Sequence, residues 1–148
     1  MSYQERRAII GSFATTAVFC AFCYGTYIFF GSTLHTNLND LSFWGKFNLC
    51  LFLSLIATKI VSSSVFAMVY PRITGETLPK VFDERDTVIE LKSIWISHCV
   101  FIFSFLISLS SLAFSLQTWI FFVALSLSGY LAVVTNEIAQ FFLYRTGE

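Results

Sequence analysis

The stretch FNLCLFLSLIATKIVSSSVFAMVY, Phe47 to Tyr70, decides the fold of this chain. It carries a single charge, Lys59, among residues that are otherwise mostly apolar. As a helix rising about 1.5 Å per residue it reaches about 36 Å, enough to cross roughly 30 Å of hydrocarbon. Three more stretches read the same way: Ala8 to Phe30, Ser93 to Phe114 and Thr118 to Tyr144. A water-soluble domain of 148 residues has no use for four such segments. Charged residues make up 12% of the chain, against about 25% in soluble domains. The expected fold is all-α: four transmembrane helices in two tandem hairpins, forming one domain over residues 1–148.

Placement of the basic residues orients the bundle. Arg6 and Arg7 precede the first span, Arg72, Lys80, Arg85 and Lys92 surround the middle connection, and Arg145 follows the last span. The two remaining connections carry only Lys46. The positive-inside rule therefore predicts cytoplasmic termini and a cytoplasmic 71–92 loop, in a bacterial inner membrane. The Arg6-Arg7 start resembles a signal peptide, but the apolar run is too long and lacks a small-residue cleavage pattern, so an uncleaved anchor is expected. Formal net charge is zero, which argues against direct nucleic-acid binding.

A weak duplication runs through the chain at an offset of about 79. It pairs Glu5 with Glu84, Arg6 with Arg85, Ile10 with Ile89, Cys20 with Cys99 and Phe22 with Phe101. A parallel two-helix repeat would relate the hairpins by a pseudo-twofold axis along the membrane normal. Pro71 and Pro79 are expected to stop the second helix, and Asp83 is a candidate N-cap for the third. Trp44 and Trp119 are expected at the outer interface, where indoles prefer to lie. Serines on the third and fourth spans (Ser97, Ser104, Ser108, Ser110, Ser111, Ser126, Ser128), Gly129, and Ser62 to Ser64 on the second allow close helix approach.

Candidate chemistry begins with the intramembrane polar residues Lys59, His98, Asn136 and Glu137. A lysine at mid-bilayer costs at least about 2.5 kcal/mol, so it should face protein or water. The repeat offset carries Lys59 to within one residue of Glu137, which makes an internal ion pair plausible. A relay or polar pocket competes with snorkelling and capping of backbone carbonyls. Asp83, Glu84, Asp86 and Glu90 form an acidic patch suited to docking a partner; helix capping is the alternative, and metal binding is not expected. Cys20-Ala-Phe-Cys23 would suit a thiol oxidoreductase, yet neither outer connection carries a cysteine that a soluble partner could reach. His35 and Asp40 are too few for a ligand set. No catalytic motif or cofactor signature is present.

The opening Met1-Ser2-Tyr3-Gln4-Glu5-Arg6-Arg7-Ala8, the central Asp83-Glu84-Arg85-Asp86 with Ile89-Glu90, and the closing Leu143-Tyr144-Arg145 with Gly147 resemble an uncharacterised family of short bacterial four-span membrane proteins. Members of that family are often encoded beside small helix-turn-helix regulators. The resemblance implies a membrane component that tethers or signals to such a regulator through the Asp83–Glu90 segment. The function expected is sensory or regulatory. A small transporter or immunity-type protein using Lys59, Glu137 and His98 is the alternative, and a thiol oxidoreductase is a third. Expected partners are the lipid bilayer, the regulator and further copies of the chain.

Overall fold

The computed structural model describes residues 3–30, 40–75 and 84–146. They form four helices: α1 (Tyr3–Phe30), α2 (Leu41–Thr74), α3 (Glu84–Ala113) and α4 (Thr118–Thr146). All four are long and apolar enough to cross a membrane, with mean hydropathy of 1.6 to 1.9 over their most apolar windows. Phe13, Tyr27, Trp95, Phe103 and Phe114 each leave more than two thirds of their surface exposed on the outside of the bundle. Water would penalise such a surface at about 25 cal/mol per Å², whereas lipid does not. The chain is a multi-pass membrane protein.

Every helix is longer than the apolar stretch that announced it, α1 and α3 by extending at their N-terminal ends. Asp40 starts α2, its carboxylate accepting from the Ser42 N–H at 2.9 Å. The expected cap at Asp83, like Pro79, Lys80, His35, Asn37 and Asn39, lies outside the described residues. Pro71 does not stop α2. The helix continues through it to Thr74, and Gly75 ends it with φ 70° and an N–H donated to the Pro71 carbonyl at 3.0 Å. A left-handed residue at this position is the usual way to satisfy the last carbonyls. A tight turn joins α3 to α4. Ser115 takes φ 54°, and the Ser115 and Leu116 N–H groups return to Leu112 and Ser111.

α4 is the central element. It packs most extensively on α3, then on α1, and along a narrower seam on α2; α1 also packs on α2, while α2 and α3 scarcely touch. The expected pseudo-twofold axis is therefore not realised. Such an axis would match the broad α1–α4 seam with an equal α2–α3 seam, and in that place there is an open cleft.

Small residues make the seams, because lipid gives no hydrophobic reason for helices to associate and close backbone contact must serve instead. On α3 the buried residues are Ile89, Ser93, Ser108 and Ser111. The Ser108 hydroxyl crosses to the Phe121 carbonyl of α4 at 3.0 Å, while Ser93 and Ser111 bond carbonyls of their own helix. Each hydroxyl thus finds an acceptor without water. α1 meets α4 where Phe19 stacks on Tyr130 at 4.2 Å and Thr16 shares a hydrogen bond with the Tyr130 hydroxyl.

The parallel α2–α4 seam has a constant register. Asn48 Oδ1 accepts from the Ser126 hydroxyl at 2.9 Å, and Lys59 meets Glu137; both contacts span 78 positions. Between them Phe52 lies against Gly129, and a Cβ at Gly129 would collide with its ring. Phe52 also lines the α2–α3 cleft, so it has space to swing aside. Gly129→Ala is expected to lower stability by about 1–2 kcal/mol by overpacking, and Phe52→Ala to remove that increment in the double variant. Reversible unfolding in mixed micelles measures both. Trp44 belongs to the same seam: the indole, in the first turn of α2, is 6% exposed and parallel to Phe122 at 6.0 Å.

Candidate functional site: a charge cluster joining three helices

Glu137 enters the bundle two turns before the end of α4, and the fold buries it to 3% exposure. Its Oε1 is ion-paired with Lys59 Nζ of α2. The lysine side chain is 37% exposed, its stem running along the open side of the seam while its head turns inward. α1 completes the site with two residues one helical turn apart. Gly11 presents bare backbone to the carboxylate: a Cβ there would lie 2.7 Å from Oε2 and 3.0 Å from Oε1. Arg7 lies beside it and donates from Nη2 to the Ser63 hydroxyl of α2 at 2.7 Å. Arg7, Gly11, Lys59, Ser62, Ser63 and Glu137 together enclose a space of about 10 Å³, room for about one water.

The electrostatics follow from this arrangement. One carboxylate faces two cations, so the cluster carries +1 with all three ionised. Each charge alone would cost about 2.5–3.5 kcal/mol at mid-bilayer. Pairing offsets that cost, provided that the hydrogen bonds hold the geometry.

The cluster continues toward the chain termini. The Tyr144 hydroxyl of α4 lies in electrostatic range of Asp86 and Glu90 of α3 and of Arg7 of α1. Arg7 therefore neighbours both the buried pair and Tyr144. Polar residues of all four helices gather at this end of the bundle: Arg7 from α1, Ser63 from α2, Asp86 from α3 and Tyr144 from α4.

Of the four residues expected at an intramembrane polar site, the structure brings Lys59 and Glu137 together. Asn136 lines the α2–α3 cleft beside them, its Oδ1 buried without a hydrogen-bond partner among the described residues. His98 departs from that grouping: it is exposed on the outer face of α3, because the α3 surface turned toward α4 is taken by Ser93 and its helical neighbours. On the acidic patch, Glu84 and Glu90 are exposed, Asp86 is half-buried toward Tyr144, and Asp83 lies outside the described residues. Cys20, Cys23, Cys50 and Cys99 are free thiols, all exposed on the outside of the bundle. Sequence reasoning missed Gly11 and did not place Arg7 beside Glu137. Their four-residue spacing, which places them on one helix face, was the available signal.

No protein-family model, curated protein or solved structure matches this chain.

Proposed function

We propose that this protein is a small sensory or regulatory component of a bacterial inner membrane, with both termini and the 71–92 connection in the cytoplasm. The orientation follows from charge: Arg6, Arg7, Arg72, Arg85, Lys92 and Arg145 gather at one end of the bundle, and Lys46 lies at the other. The observation that carries the function is the cluster of Lys59, Glu137, Arg7 and Ser63 joining α1, α2 and α4, with Tyr144, Asp86 and Glu90 in electrostatic range of its Arg7 end. A buried ion pair is an all-or-none contact, since separating its members leaves an uncompensated charge in hydrocarbon. Two states of that pair place Arg7 differently and so bias the pose of the 84–92 segment, a population shift with a cytoplasmic readout. The space beside the pair holds about one water, which suits a switch better than an ion path.

The partner captured by that segment is a soluble protein with a basic face complementary to Glu84 and Glu90. A small helix-turn-helix regulator is the class implied by the family that the chain ends resemble. With Cys20, Cys23, Cys50 and Cys99 replaced by alanine and spin labels at positions 90 and 145, Glu137→Gln is expected to shift or broaden the inter-label distance distribution. Identical distributions would overturn the coupling.

A further inference from the structure

The cleft left where α2 and α3 fail to meet has a volume of about 630 Å³ and a floor formed by α4. Ile56 and Ile60 of α2, Phe101 of α3, and Ala132 and Val133 of α4 make its walls apolar. A bilayer fills such a space with an apolar chain, because empty volume forfeits dispersion contacts. Two polar groups distinguish one end. Lys59 Nζ has three donors, and the Glu137 bond uses one of them. Asn136 Oδ1 is a buried acceptor with no donor among the described residues, a condition that costs about 1–3 kcal/mol. The Ser97 hydroxyl nearby is already given to the Ile94 carbonyl at 2.9 Å.

An occupant matching both groups must carry an apolar chain and a head that donates to Asn136 and accepts from Lys59. We propose that this cleft is a binding site for a single-chain fatty acid, entered laterally from the bilayer. Its neutral carboxyl group donates O–H to Asn136 Oδ1 and accepts at its carbonyl from Lys59 Nζ. A phosphodiester headgroup is a poorer match, since it has a fixed charge and no phosphate donor. Lys59 also lies about 22 Å from the Thr74 end of α2, too deep for a headgroup held at the interface. The site deepens the sensory reading by naming the class of molecule sensed, and it rests on that reading only for its consequence, not for binding itself.

The test uses the full chain in lipid nanodiscs with labelled dodecanoic acid, competed by methyl dodecanoate, which keeps the chain and carbonyl but has no donor. Wild type is expected to bind the acid about tenfold more tightly than the ester. Asn136→Leu is expected to remove that preference, and Ala132→Phe, which fills the cleft, to abolish binding of both. Equal affinity of wild type for acid and ester overturns the proposal, and this comparison stands even if a variant fails to fold. Binding indifferent to both substitutions in folded protein also overturns it. Bound acid with an unchanged distance between positions 90 and 145 keeps the site and removes the switch.

Discussion

Replacing Glu137 by alanine is expected to destabilise the bundle by about 3 kcal/mol, at the lower end of the range for breaking a buried ion pair. The loss has two sources. Lys59 keeps its charge without its counter-ion, and a void opens beside Gly11 where the carboxylate stood. The lower end applies because Lys59 is 37% exposed, so its flexible stem can carry the ammonium part of the way toward polar surroundings. Lys59→Met in the same chain should recover the part of the loss that comes from the uncompensated charge, while the void beside Gly11 remains. The four-variant cycle, read by reversible unfolding in mixed micelles, should give a coupling energy of about 1.5–3 kcal/mol. Strictly additive effects would mean that the two residues are neighbours without being partners.

Gly11→Ala should cost about 2 kcal/mol, with a sign opposite to the local expectation. In a helix interior alanine is favoured over glycine by about 1 kcal/mol. Here the added Cβ would stand within 3.0 Å of three carboxylate atoms of Glu137. The carboxylate cannot retreat without leaving Lys59, so the clash is met by separating α1 from α4 or by weakening the pair. The diagnostic measurement is the same substitution in a Glu137→Ala background. With the carboxylate gone, Gly11→Ala should become neutral or stabilising. A cost that persists there would place the constraint in the α1 backbone and not in the ion pair.

The candidate site was legible in part, and the division follows physical lines. Lys59 and Glu137 stood out because a charge in an apolar stretch demands a partner, and the parallel register of 78 positions delivered one to the other. Arg7 lies at a span boundary, where a basic residue is already accounted for by membrane orientation, so its contact with Ser63 left no separate trace. His98 gave the same polar signal as Asn136, yet helix rotation turned it outward. Depth can be counted along a sequence, but the rotation of a helix whose faces are all apolar cannot.

The duplicated anchors likewise suggested a symmetric pair of hairpins, and packing broke that symmetry. Small residues on α3 and α4 brought those helices into long contact, and Gly11 let α1 close on α4 over the Glu137 carboxylate. Nothing comparable joins α2 to α3, and the cleft is the result.

The order of residues by itself determined that the chain dissolves in lipid, how many times it crosses, and where its charges fall relative to the spans. Those properties depend on hydropathy and length, which are sums over neighbouring residues. Only the tertiary structure decided which helix became central, which polar residues met and which faced lipid. Hydrocarbon outside the bundle is nearly as apolar as the bundle itself, so helix rotation and partner choice rest on glycine gaps, hydroxyl–carbonyl contacts and the Lys59–Glu137 ion pair. Those contacts join residues far apart in sequence.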